Sequence, residues 1–482
     1  MSKPLIQHSE PAAGQPAVRW VLASLSVSML LSSLGTSSAH VGLPTLAQAF
    51  NASFQHVQWV VLAYLLAITT LIVSVGRLGD VIGRRRLLLA GLGLFTVASL
   101  LCGIAPTLGL LIAARVVQGL GAAVMMALTM AFVGDAVPKD RTGSAMGLLG
   151  TLSAVGTALG PTLGGVLIAG FGWPALFFIH VPLGLLGVVL ARRYLPADRP
   201  AATRQVTRAS ARFDLVGTLL LALTLAAYAL AMTIGRGGGV GPLNLMLLLG
   251  AVVGVGLFLR VESTAACPLI RAAMFRNPVL SAGFAMSALV TTVVMATLVV
   301  GPFYLAGALG LDAARVGLVM SSGPIAAALA GVPAGRLVDR LGAHRAGLGG
   351  LVAMAVGAAV MVVLPTRFGV PGYIAPLVVI TAGYALFQAA NNTAVMTNIP
   401  PDQRGVVSGL LTLSRNLGLI TGASVMGAVF ALGAATSHLP VASPAAVAAG
   451  LRMTFAVAAA LIGVALAIAS ASHARGAGRG EA

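Results

Sequence analysis

Charge is scarce in this sequence: of 482 residues, 11 are acidic and 29 are lysine or arginine, together 8%. A soluble protein carries about a quarter of its residues as charges, so a water-facing globular surface is excluded. Cysteine is scarcer still. Cys102 lies in an apolar run and Cys267 in a polar loop, so neither a disulfide framework nor a metal site is expected. Aromatic residues are few and do not interleave with the basic clusters, so the net charge of +18 does not indicate a nucleic-acid surface. No Gly-Lys-Ser/Thr closes a phosphate loop, no HExxH pair is present, and the Gly-Ser-Ala-Met that begins at Gly143 is no nucleophile elbow. No cofactor is expected, and nothing points to an enzyme.

What is abundant is apolar sequence, 58% of residues, in runs long enough to cross a bilayer core of about 30 Å as helices. Breaks at Gly, Pro and charged residues predict fourteen spans. The first six run 20–46, 57–79, 87–105, 108–134, 142–171 and 173–195; the next two 215–235 and 241–260. The last six run 278–306, 312–337, 346–365, 371–399, 405–433 and 446–472. The expected organisation is a tail 1–19, a six-helix bundle 20–195, a linker 196–214, two helices within 215–260, a loop 261–277, a second bundle 278–472 and a tail 473–482. The first run is too long for a signal-peptide core and lacks a clear cleavage site, so it reads as a retained helix.

Lysine and arginine set the orientation. With both termini in the cytoplasm, only Arg236, Arg315, Arg367 and Arg452 fall on the opposite side, and Arg115 and Arg415 fall within spans. The reading is a multi-pass inner-membrane protein, monomeric, with anionic lipids against its basic cytoplasmic face.

GRLGDVIGRRR at 76–86 nearly repeats as GRLVDRLGAHR at 335–345, an offset of 259. At an offset of 262, Gly143, Gly147, Gly156, Gly160 and Gly165 meet Gly405, Gly409, Gly418, Gly422 and Gly427. The chain is therefore two related six-helix halves with the seventh and eighth helices inserted between them. Such parallel repeats suit a transporter whose halves rock about a midplane site. Gly76, Asp80, Gly83 and Arg84, with Gly335, Asp339 and Gly342, are then a candidate conformational gate. In it Asp80 meets the start of the thirteenth helix and Asp339 the start of the fifth, each worth about 0.3–1 kcal/mol against a helix dipole. The plainer reading is that these loops only enforce topology.

These residues resemble the major facilitator superfamily. GRLGDVIGRRR is similar to its loop signature, and LIAARVVQGLGAA at 111–123 resembles its fourth-helix signature, built on Arg115, Gln118 and Gly119. GTALGPTLGG, carrying Gly156, Gly160, Pro161, Gly164 and Gly165, resembles its fifth-helix antiporter pattern. RFDLVGTLLL at 212–221 and CPLIRAAMFRN at 267–277 look like the flanks of the inserted helices in fourteen-helix drug:proton antiporters. The resemblance implies the major facilitator fold, export of drugs or amphipathic small molecules in exchange for protons, and a coupling role for Arg115. The glycines also read without it: Gly156, Gly160 and Gly164 give the fifth helix a bare face for close packing, and Pro161 loosens the helix.

The sequence departs from that pattern where an acid is expected. LGTSSAHVGLP at 34–44 places Gly35 where related antiporters carry an aspartate, and His40 where they carry asparagine. His180 likewise stands in an asparagine's place, and no Asp or Glu falls in the middle of a span. A buried arginine needs a cavity or a polar partner, so Arg115 reads either as a coupling residue or as a brace to the first helix. Histidine titrates near pH 6.5, so His40 reads either as a proton carrier or as a neutral hydrogen-bonding side chain. Thr36, Tyr64, Gln118, Tyr384, Gln388, Asn391, Asn392, Arg415 and Asn416 are the candidate cavity residues. Without a carboxylate, the cavity favours neutral, zwitterionic or anionic amphipaths over cations. The alternative is a specific metabolite exporter or facilitator with weak or no proton coupling.

Overall fold

A computed structural model describes residues 18–136, 142–198, 215–233, 241–264, 277–363, 365–396, 399, 404–435 and 442–477. Among them the regular structure is helical throughout, the form that satisfies every backbone group inside a bilayer. The first half comprises α1 (Val18–Ala49), α2 (Phe54–Ile82), α3 (Arg84–Gly103), α4 (Leu108–Ala136), α5 (Thr142–Phe171) and α6 (Ala175–Tyr194). Two inserted helices follow, α7 (Leu215–Thr233) and α8 (Pro242–Thr264). The second half comprises α9 (Pro278–Gly307), α10 (Ala313–Leu341), α11 (Ala343–Val363), α12 (Pro365–Met396), α13 and α14 (Pro444–Ala477). The α13 helix runs Arg404–Thr421, passes through a π turn at Gly422–Met426 and ends with Gly427–Gly433. Thirteen of the helices are long and apolar enough to span a membrane, and α5 adds an apolar stretch at Val155–Phe171.

Caps follow the sequence. Ser53 accepts from the His56 amide, Asn277 from those of Val279 and Leu280, and Asp312 from that of Arg315, as short polar side chains do at helix starts. The connections inside the two repeats differ from expectation. Residues 80–86 and 338–345 were expected to include loops, yet the helices on either side meet at a single glycine. Gly83 (φ 112°) separates α2 from α3, and Gly342 (φ 80°) separates α10 from α11. Only glycine takes these angles without strain, so one residue makes each turn. Asp339 consequently sits in the last turn of α10. The expected sixth span is one helix, Ala175–Tyr194, with a one-residue irregularity at Ile179 where the backbone angles stay helical (φ −59°, ψ −27°). The α8 helix runs on past residue 260 and takes Glu262, buried, into its last turns.

Packing repeats with the sequence. In the first half α1 packs on α5 and α6, α4 on α2 and α3, and α3 on α6; in the second, α9 packs on α13 and α14, α12 on α10 and α11, and α11 on α14. Between halves, α5 meets α10 as α13 meets α2, and α1 meets α9. Each contact maps onto its counterpart under exchange of the halves. The inserted α7 packs on α2 and α13 from outside, and α8 is a peripheral helix beyond it.

Candidate functional site

The halves touch at the end opposite the arginine-rich repeats. There Gly165 of α5 faces Gly317 of α10 so closely that a Cβ on either would lie 3.1 Å from the other's Cα. Thr162 and Ser321 hydrogen-bond across the same seam. On the symmetry-related seam, Phe54 of α2 stacks edge-on against Phe303 of α9 at 4.6 Å and packs on Phe430 of α13 at 5.5 Å. Toward the arginine-rich end, α10 loses its cover: Gly331, Val332 and Pro333 are exposed in succession, positions that sweep most of a helix circumference. Asp339 is exposed, and the space around Gly335 and Gly342 is open. The surroundings of Gly76 and the side chain of Asp80 lie outside what is described. Gly83 packs instead against Asp198, just beyond α6, whose carboxylate accepts from the Arg85 and Arg86 amides at 2.9 and 3.1 Å.

Within the first half, Arg115 of α4 is fully enclosed. Its Nε donates to the Val60 carbonyl at 2.8 Å, and its Nη1 donates to the Gly35 carbonyl at 3.2 Å and to Gln118 Oε1 at 2.5 Å. The guanidinium lies 4.0 Å from the Tyr64 ring centroid, a cation–π contact strengthened by desolvation. Gln118 in turn donates to Ser99 Oγ at 2.7 Å, and Tyr64 donates to the Ser32 carbonyl at 3.1 Å. So Tyr64 and Gln118, expected to line a cavity, are closed around Arg115. Among the described residues no carboxylate pairs with this charge, and Nη2 has no partner. Gly35, in the acid's place, has no room to spare: a Cβ there would lie 3.1 Å from both Phe95 Cζ and Tyr64 Oη.

His40 and His180 are both buried near this charge and within its electrostatic reach. His40 Nδ1 donates to the Ser37 carbonyl and His180 Nδ1 to the Phe177 carbonyl, each at 3.3 Å. A carbonyl accepts only, so Nδ1 carries the proton and the neutral ring leaves Nε2 as a bare lone pair. Both Nε2 atoms are buried without a partner. The site is one cation and two unsatisfied proton acceptors, packed among α1, α4 and α6. Thr36 bonds back to its own helix at the Ser32 carbonyl.

The α5 glycines divide by face. Gly156, Gly160 and Gly164 receive the α1 backbone at Leu30 and Ser38, whereas Pro161 and Gly165 turn to α10. In the second half, Tyr384, Gln388, Asn392 and Asn416 are half-buried. Arg415, also half-buried, reaches Thr412 Oγ1 at 3.4 Å and lies within electrostatic range of Tyr384. Asn391 points elsewhere: it donates to the Gly283 carbonyl at 3.2 Å and lines a cavity of about 310 Å³ inside the half, with His344 and Phe387. Sequence reading missed Asp198 and Ser99; nothing local marks either, since each acts on a helix other than its own.

The sequence profile of the Major Facilitator Superfamily matches residues 25–423. The chain is 30% identical to the riboflavin transporter RibZ of Clostridioides difficile (strain 630), over 86% of this chain and 88% of that one. It is 31% identical to the multidrug resistance protein Stp of Mycobacterium tuberculosis (strain CDC 1551 / Oshkosh), over 81% and 72%. Among solved structures it resembles a bacterial homologue of the human lysosomal transporter Spinster in an inward-facing, unoccupied conformation. That likeness has a TM-score of 0.68 at 16% identity and covers 95% of this chain and 98% of that one.

Proposed function

The chain is a multi-pass transporter of the major facilitator superfamily, and we propose that it exports amphipathic small molecules in exchange for protons by alternating access. The observation that carries this reading is the asymmetry of the seam between halves: closed by Gly165, Gly317, Thr162 and Ser321 at one end, splayed along α10 at the other. The bias of lysine and arginine supports a reading in which the splayed end and both termini lie on the cytoplasmic side of a bacterial-type inner membrane. Substrate then enters from the cytoplasm or inner leaflet, and rocking of the halves releases it outside. Gly335, Asp339 and Gly342, with Gly76, Asp80, Gly83 and Arg84, form the gate that closes the arginine-rich end in the other state.

Proton exchange is assigned to His40 beside Arg115. When His40 Nε2 takes a proton the ring becomes a second cation near an unpaired guanidinium, and the mutual repulsion favours a state in which water reaches the site. Loss of the proton restores the dry packing. Tyr384, Gln388, Asn392, Arg415 and Asn416, half-buried in the second half, supply the substrate's polar contacts. The absence of an acid beside Arg115 among the described residues favours a second reading, a metabolite exporter without proton coupling, and RibZ is a relative named for one metabolite.

The test is the purified protein in proteoliposomes with an imposed pH gradient, challenged in turn with neutral, anionic and cationic amphipaths. Protein-dependent collapse of the gradient on substrate addition is expected. Substrate flux with the gradient intact selects the uncoupled carrier. No flux of any compound removes both.

A further inference from the structure

Between the arginine-rich ends of α3 and α6 lies a crevice of about 500 Å³ lined by Arg85, Arg86, Leu89, Val188, Arg192 and Asp198. We propose that it is a specific site for an anionic glycerophospholipid, with the headgroup phosphate between Arg86 and Arg192 and the acyl chains running along α3 and α6.

Charge is the first argument. Three guanidinium groups face one carboxylate, and that carboxylate is already engaged: Asp198 uses Oδ1 and Oδ2 on the Arg85 and Arg86 amides. Arg85 donates to the Arg192 carbonyl, tying the two helix ends together, and its Nε is buried with no partner. Among the described residues, Arg86 and Arg192 have exposed side chains and no ion pair. Asp198 thus acts as a strut that holds the start of α3 in place and leaves the crevice with surplus positive charge. Planar guanidinium forks recognise phosphate oxygens in pairs.

Depth is the second argument. On the same face of the membrane, Trp20 and Tyr194 stack at 5.0 Å with nearly parallel rings, flanked by Arg19 and Arg193. Such aromatic residues mark headgroup level. Below Arg86, α3 presents Leu94, Val97 and Leu101 to the outside, and below Arg192, α6 presents Val189 and Leu185. Both stripes follow helical spacing away from the arginines, so a phosphate in the crevice has two apolar tracks for its chains. Basic pockets between helices at this depth hold anionic headgroups.

The second half provides an internal control. Its repeat has Arg340 and Arg345 exposed at the same end, yet the space around Gly342 is open where Gly83 packs on Asp198. Among the described residues it therefore has the charge without the strut.

The experiment is native mass spectrometry of the full-length protein in neutral detergent. It is offered phosphatidylglycerol and phosphatidylcholine with the same acyl chains, with glycerol 3-phosphate as a separate arm. Preferential retention of phosphatidylglycerol is expected. R86Q/R192Q weakens it by roughly fivefold per arginine, R86K/R192K keeps most of it, and R340Q/R345Q leaves it unchanged. Thermal melts confirm that each variant is folded, as expected for exposed side chains. Equal losses in R86Q/R192Q and R340Q/R345Q would show diffuse attraction and overturn the site. So would equal retention of the two lipids, or displacement of the lipid by glycerol 3-phosphate at similar concentration.

Discussion

Arg115 stacks on Tyr64 with its guanidinium carbon 4.0 Å from the ring centroid, and the hydroxyl of that ring reaches α1 at the Ser32 carbonyl. One side chain of α4 therefore binds α1 and α2 at once, through the Gly35 and Val60 carbonyls and this ring. These carbonyls belong to helices and already accept their own i+4 amides, so their bonds to Arg115 add to the fold without being needed to satisfy it. The guanidinium itself carries a desolvation cost that these bonds and the ring offset only in part, because Nη2 has no partner and no carboxylate faces it among the described residues.

Replacing Arg115 with methionine is therefore expected to separate stability from transport. R115M keeps the volume of the stem and removes the buried charge. Its melting temperature holds or rises, while proton-driven transport falls by roughly 5- to 150-fold, the range of a coupling free energy. Thermal melts and flux measured on the same preparation check this. A strongly destabilised R115M would make Arg115 a structural brace.

Gly35 is held by packing as well as by chemistry. A methyl group at that position meets the Phe95 ring edge and the Tyr64 hydroxyl, both 3.1 Å from the Cβ. G35A is expected to cost about 1–3 kcal/mol, as overpacking does, and F95L in the same chain recovers part of it. Denaturant or thermal unfolding of the single and double variants reads the coupling. Restoring an acid here thus needs repacking of Phe95 as well.

Closure between the halves is testable at Thr162 and Ser321, whose hydroxyls bond across the α5–α10 seam. T162C/S321C is expected to form a disulfide under mild oxidation, since the side chains already meet. Oxidation stops transport and reduction restores it. Full flux with the bond formed would mean that this seam does not open during the cycle.

The inserted α7 clasps both halves. Thr233 accepts from Trp59 Nε1 at 3.1 Å and Thr218 bonds Ser74 at 2.8 Å on α2, while Tyr228 donates to Thr421 on α13 at 3.1 Å. Y228F removes the hydrogen bond to the second half and leaves those to α2 in place. It is expected to cost about 0.5–1.5 kcal/mol and to shift the equilibrium away from the state closed at the Thr162–Ser321 end. Accessibility of a cysteine placed at Ser321 to a membrane-impermeant thiol reagent rises if so.

The helix count and the duplication were legible because each rests on a long-range regularity: apolar length in one case, spaced glycines and charges in the other. The site was legible in its ingredients but not in its arrangement. Tyr64 and Gln118 are polar residues on apolar helices, and nothing local says whether such a residue faces a cavity or a buried cation. Asp198 stands far along the chain from the amides it caps. The Pro161 position carries the same lesson. The proline has no counterpart in the second half, where Ala423 stands, so the sequence suggests that only α5 is loosened there. Yet α13 enters its π turn at Gly422 and Ala423, the same place in the repeat. One helix loses a backbone bond to proline chemistry, the other shifts its bonding through tertiary packing, and only the first leaves a mark in the sequence.

The most direct measurement compares His40 with asparagine. Asparagine can keep a hydrogen bond to the Ser37 carbonyl but offers no basic nitrogen. In proteoliposomes carrying an imposed pH gradient, the wild-type chain is expected to dissipate the gradient as substrate crosses, whereas H40N moves substrate and leaves the gradient standing. If H40N couples flux to protons as the wild type does, the proton does not travel through His40, and the account of this site is contradicted.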